Sequence, residues 1–367
     1  MLHPSLQDAG ANRRGDIAIA DGVNVRSAQD SGDALAKLDD VSVVEVKLAF
    51  LAAAGMATAG AQAAEFELAE GTTLTLGGEV VLNYLYEKRA NGNDDTKFVD
   101  DGSLVILGGS RDLGNGITAF VETEFEYNML GNNDDVKRDA SILGFTGEFG
   151  EFQIGASDNV FEDLISDAVD PFENATLEQV SLTNEDSMVT YYSPDMDGFS
   201  FRLQGRHDNR GDGESAEISL IAAAEYDFGP VAVAAGYDSR GSVNAGDNEF
   251  KSQDHVVGLA VTGQLTERLE ASARFAQEND QAGNDKDFTA IALVYNYGGG
   301  DLYGAAQNYD PSGGDNSTQV ATGINYEIAS DLLIFAEYGD LDRKLTNGDV
   351  DAGDTDKLGV AGLIYEF

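Results

Sequence analysis

GITAFVETEFEYN, residues 116–128, decides the fold. Read in twos, Ile117, Ala119, Val121 and Phe125 fall on one side, and Thr118, Glu122, Glu124 and Glu126 on the other. Period-two alternation describes a strand with one apolar and one polar face. Carboxylates at alternate positions need water, and the opposite face needs an apolar neighbour.

The pattern recurs along the chain. TLTLGGEVVLNYLYEK (73–88), FSFRLQGR (199–206), LEASARFAQ (269–277) and the terminal LGVAGLIYEF (358–367) alternate in the same way. Between such stretches, two kinds of connector take turns. Tight ones such as DLGNG (112–116), SPDMDG (193–198) and YGGGD (297–301) carry Gly, Asn, Asp or Pro where a chain reverses. Long acidic ones include ANGNDDT (90–96), NMLGNNDDV (128–136) and DRKLTNGDVDAGDT (342–355). The connectors predict sixteen strands, near 73–88, 102–111, 117–127, 138–146, 151–156, 187–192, 199–206, 217–227, 231–238, 255–265, 269–277, 287–297, 302–309, 318–328, 332–341 and 356–367.

A soluble sandwich buries its apolar faces against each other. A long meander whose polar face is charged has a wet inside and must meet lipid outside. In lipid no backbone group can stay unpaired, so the sheet must close. The expected fold class is all-β: a transmembrane, 16-stranded, antiparallel up-and-down β-barrel over residues 64–367, wide enough for an aqueous channel. Tyr84, Tyr86, Tyr127, Tyr191, Tyr226, Tyr237, Tyr295, Tyr297, Tyr309, Tyr326 and Tyr338 cluster near strand ends, as an interfacial girdle requires. Tyr365 and Phe367 extend it to the last residue.

Composition narrows the function. The chain has 367 residues, 66 Asp+Glu against 22 Lys+Arg, and a net charge of −44. Nucleic acid is excluded as a partner, because binding it rests on Lys and Arg. There is no Cys, so disulfides and thiolate metal sites are excluded. Residues 47–63, KLAFLAAAGMATAGAQA, read as a secretory signal with an A-x-A cleavage site before Ala64. The expected organisation is a signal peptide at 46–63, preceded by a non-native upstream extension at 1–45.

Four blocks, RDLGNGITAFVETEFEYN (111–128), RDASILGFTGEFGEFQIGASDN (138–159), SMVTYYSPDMDGFSFRLQG (187–205) and GLIYEF (362–367), resemble the trimeric general diffusion porins of the Gram-negative outer membrane. The resemblance implies a homotrimer in the lipopolysaccharide-bearing outer membrane lipid bilayer. It implies periplasmic chain ends and a third loop folded into the pore. It also implies that the terminal strand, with Tyr365 and Phe367, is the signal read by the barrel-assembly machinery.

The third long connector, residues 158–186, suits that place. It holds Asp158, Glu162, Asp163, Asp167, Asp170, Glu173, Glu178, Glu185 and Asp186 and no Lys or Arg. Phe161, Leu164, Ile165, Val169 and Phe172 sit at near-helical spacing, which would set a short helical turn against the inner wall. Asp158, Glu162, Asp163, Asp167, Asp170 and Glu173 are therefore the expected acidic side of a pore constriction. In the family a basic cluster on the wall faces this loop. Arg138, Arg202, Arg206 and Arg274 have inward parity here, whereas Glu124 and Thr190 stand where the family often has further Arg. An excess of carboxylates raises local cation concentration, so a cation-preferring channel for ions and small hydrophilic solutes is expected.

Other readings are weaker. Three His and no G-x-S-x-G offer nothing for an enzyme. An acidic calcium-binding or adhesive surface protein is the alternative, but NGNDD, NNDD and NGDVDAGDTD do not match the EF-hand spacing. No cofactor is expected beyond Ca2+ or Mg2+ bridging acidic outer loops, and no protein metal site.

Overall fold

The computed structural model describes residues 63–131, 136–208, 217–240, 255–279, 285–311, 316–341 and 355–367. The expected upstream extension and, apart from Ala63, the signal peptide lie outside the described residues, as do the cores of most acidic outer connectors.

The alternating stretches become strands: β1 (Ala64–Ala69), β2 (Thr72–Arg89), β3 (Asp94–Asp100), β4 (Leu104–Gly114), β5 (Ile117–Glu126), β6 (Lys137–Gly147), β7 (Gly150–Ala156), β8 (Met188–Tyr192) and β9 (Phe199–Asp208). They continue as β10 (Glu217–Asp227), β11 (Val231–Asp238), β12 (His255–Thr266), β13 (Leu269–Asn279), β14 (Asp285–Asn296), β15 (Asp301–Asp310), β16 (Ser317–Ala329), β17 (Leu332–Asp340) and β18 (Thr355–Glu366). Neighbours pair antiparallel in a single sheet.

Eighteen segments make sixteen lanes, because β2 carries two partners end to end on each side. On one side β18 pairs with residues 79–89 and β1 with residues 72–76. On the other, β3 pairs with residues 82–88 and β4 with residues 72–79. The β18–β2 pairing closes the barrel and leaves no free edge. Phe367 completes its lane with two backbone hydrogen bonds to Gly78, at 3.0 and 2.9 Å.

The sixteen expected strands are all present. The difference is at 90–96, read as a long connector: the turn is shorter, and β3 starts at Asp94. Asp94 pairs with Lys88 across the turn, and Lys97 bonds Glu87 at 2.5 Å, so cations offset the acidic run. Gly92, with φ of +87°, makes the reversal.

Register sorts the faces. Leu143, Ile154, Val189, Leu203, Leu259, Ile291 and Ile324 are each about half exposed and fall on one face. Eight of the eleven strand-end tyrosines, among them Tyr84, Tyr226 and Tyr326, are also exposed. Tyr309 is not: it is buried on the other face, its ring 4.9 Å from Phe288.

The inner face departs from simple alternation. Ile221, Ala223, Ala234, Ala260, Ala276 and Ala290 occupy inward positions of β10–β14 and are buried. They stay dry because residues 157–187, which join β7 to β8, pack on the first five through Val160, Phe161, Ile165 and Val180 and on Ala290 through Val169, Phe172, Ala175 and Leu177.

Candidate functional site on the inner face

Residues 157–187 leave the end of β7 and run along the face opposite the exposed apolar ring. Asn159 starts the turn: its Oδ1 accepts the Phe161 N–H at 2.9 Å. Two short helical turns follow, Glu162–Ser166 and Asp167–Val169. Their apolar side faces the wall, as the spacing predicted. Phe161 and Ile165 are fully buried, each contributing about 1.5–3 kcal/mol. Glycines make room for them. A Cβ on Gly258 would stand 2.5 Å from Ile165 and 2.6 Å from Phe161; one on Gly236 would stand 2.6 Å from Phe161.

Polar wall side chains then catch the backbone of the segment strand by strand. Gln204 of β9 accepts the Val160 N–H at 3.3 Å. Asp238 of β11 accepts the Thr183 N–H at 2.7 Å and its hydroxyl at 2.6 Å. Glu278 of β13 accepts the Ser181 N–H at 3.1 Å, and Gln319 of β16 the Glu178 N–H at 2.8 Å. Glu337 of β17 accepts three in a row, from Glu173 (2.8 Å), Asn174 (2.9 Å) and Ala175 (2.9 Å). A buried carboxylate is tolerable when several donors satisfy it. The sequence reading missed these acceptors; their signal was inward-parity Gln, Asp and Glu recurring on β9, β11, β13, β16 and β17.

The four arginines separate. Arg202 bonds Asp163 at 2.7 Å and lies over the Tyr192 ring, 5.6 Å from its centre. Arg206 bonds Asp186 at 2.7 Å. Arg274, almost fully buried, donates to the Ser166 carbonyl (3.4 Å), the Glu178 carbonyl (3.4 Å), Gln307 (2.5 Å) and Gln179. Arg138 stands apart: it is exposed, opposite Phe125 beyond a register shift. The three inward arginines therefore underlie residues 157–187 rather than confront them across an opening. Across from them the inner face carries carboxylates: Glu122 of β5 pairs with Gly108 and the buried Ile142, on the opposite parity from the exposed Val121.

The acidic candidates form two groups. Asp158, Glu162 and Asp163 gather at the start of the segment, joined by Glu185 at its end, whose Oε1 accepts the Asn159 N–H at 3.0 Å. Burial, then repulsion from Asp158, Asp163 and Asp170, raises Glu162 to about 7. Burial, then Asp158 and Glu162, raises Glu185 to about 8. Asp170 accepts from Gln179 at 3.3 Å, and burial lifts it to about 7 against the pull of Thr176 and Arg274. Asp167 follows the first helical turn, and Glu173 is buried at the far tip beside Glu337. Among the described residues no cluster of His, Asp or Glu has metal-holding geometry.

Residues 49–346 match a family model described as Gram-negative porin. A monosaccharide porin of a Halomonas species is 27% identical over 372 aligned residues, covering 87% of this chain and 99% of that protein. The major outer membrane protein of Halomonas elongata matches with the same identity and coverage. Among solved structures, the anion-selective porin from Comamonas acidovorans superposes with a TM-score of 0.65 at 18% identity, covering 81% of this chain and all of that one.

Proposed function

This chain belongs to the Gram-negative porin family, and from that premise we propose that its channel prefers cations and is narrowed by residues 157–187. It resides in the bacterial outer membrane, passes solutes by passive diffusion and is not an enzyme.

One observation carries the cation preference. Residues 157–187 hold nine carboxylates and no Lys or Arg, and Arg202, Arg206 and Arg274 of the wall are already bonded to that segment. Glu122 adds a further carboxylate on the inner face, at β5. A path on which carboxylates outnumber basic groups concentrates cations and repels anions. An anion-selective path needs the reverse. The narrowing rests on the wall contacts, which draw the segment across the inner face from β9 to β17.

Assembly follows the family pattern: a homotrimer among lipopolysaccharide, inserted by the barrel-assembly machinery. Tyr365 and Phe367 support the terminal signal, since their stacked rings, 6.3 Å apart, finish the closing lane. A planar-bilayer recording under a salt gradient tests the selectivity. Stepwise conductance with a cation-directed reversal potential is the expected result; an anion-directed one overturns it.

A further inference from the structure

The third lane is interrupted. β3 ends at Asp100 and β4 begins at Leu104, both beside β2. The break is ordered. The Asp101 N–H donates to the Val81 carbonyl at 3.0 Å. Ser103 Oγ accepts the Val81 N–H at 3.0 Å, and Asp100 accepts the Ser103 N–H at 3.0 Å. Gly102, with φ of +89°, takes a conformation other residues resist. A lane that spends this much local structure on stopping must gain something from the stop.

What it gains is the direction of Asp101. The carboxylate accepts Asn83 Nδ2 at 2.8 Å and also the side-chain amide of Asn174. Asn83 Nδ2 donates to Asn174 Oδ1 at 2.8 Å as well, so the three side chains close a ring, with Asn83 fully buried. Asn174 is the tip of the 157–187 segment, on the residue whose backbone Glu337 holds. The tip is thus fastened on both sides of the seam where β18 meets β2. The segment's roots, at β7 and β8, lie elsewhere around the barrel. Its two ends and its tip together fix an edge.

We propose that the Asn83–Asp101–Asn174 ring sets the size limit of the channel. Glu337 holds the tip's backbone from one side only. The ring holds it from the other, and without it the tip is free to move off the third lane and enlarge the opening. The inference rests on the reading that residues 157–187 narrow the lumen, and the test separates the two.

The chain has no cysteine, so a D101C/N174C variant carries two unique thiols. Side chains that meet through their terminal atoms stand too far apart at Cβ for a relaxed disulfide. A short bifunctional methanethiosulfonate therefore serves as the tether. The protein is reconstituted in liposomes, and swelling is followed with neutral sugars from mono- to tetrasaccharide. Untethered, the variant lacks the ring and should admit the larger sugars several-fold faster than wild type, relative to the monosaccharide. Tethered, the same protein should return to the wild-type cut-off. N174A, which removes only the tip amide, should behave like the untethered form. Tethering with an unchanged cut-off overturns the size-limit proposal and leaves the segment inside the lumen. Failure of the thiols to join in folded, heat-modifiable barrels overturns both.

Discussion

Glu337 Oε1 lies 2.8 Å from the backbone nitrogen of Glu173, although both are carboxylate residues and both are buried. The contact is a carboxylate meeting a backbone N–H, and two further N–H groups and the Tyr303 hydroxyl (2.8 Å) join it. Removing the acceptor leaves four donors without it, at a cost of about 1–3 kcal/mol for each that water cannot reach. Glu337→Ala should keep the barrel, lower its unfolding midpoint in detergent and raise open-channel current noise. Glu337→Gln, which keeps one acceptor oxygen, should fall between. An Ala variant as quiet and as heat-resistant as wild type contradicts the assigned role.

Gly258 has no space for a side chain. Because a Cβ there would press on Ile165 and Phe161, Gly258→Val should displace the first helical turn, at about 1–3 kcal/mol. The expected readout is a lower melting midpoint together with a changed single-channel conductance. Gly359, whose Cβ would meet nothing closer than 3.9 Å, is the control and should tolerate Ala.

Acid should weaken cation preference. Glu162 and Glu185 are held above their ordinary value of 4.5, at about 7 and 8, by burial and by neighbouring carboxylates. They face each other as well as Asp158, so they titrate as a coupled set. The folded protein keeps protons that an unfolded chain would have released. Stability from this pair is therefore greatest below the ordinary carboxylate range and declines as pH rises through about 7 and 8. The negative charge appears over the same window, so the reversal potential should shift toward the cation limit between pH 6 and pH 9, about the span those values set. E162Q/E185Q should flatten that shift; a full shift in the double variant counts against these residues.

Neutralising the first acidic group should matter more than neutralising the buried Asp170. D158N/E162Q should reduce the reversal potential at about pH 8, above the value of about 7 to which Glu162 is raised, without preventing insertion. Asp170 sits against Arg274, so D170N should change selectivity little. The opposite order would move the filter away from the segment's start.

Most of the architecture was legible because two periodicities agreed. Alternation within strands gave the faces, and alternation of connector length gave the sixteen lanes. The helical turn was legible from Phe161, Ile165 and Val169 for the same reason. Three features were not. Tyr309 and Phe288 look like girdle or lipid-face residues until the covering segment makes the inner face apolar. Glu337, Asp238 and Glu278 look like solvated pore carboxylates, and only register and proximity turn them into acceptors. Arg138 had the expected parity, but a register shift between Thr123 and Phe125 puts it opposite Phe125, and parity rules cannot see a bulge.

Which face holds water is most directly read by a charged thiol reagent applied during bilayer recording. In the cysteine-free chain, E122C should lose conductance in steps as a cationic methanethiosulfonate reacts. L259C and I291C, on the exposed apolar face, should not respond. Block at Leu259 or Ile291 with none at Glu122 would invert the barrel and contradict the account.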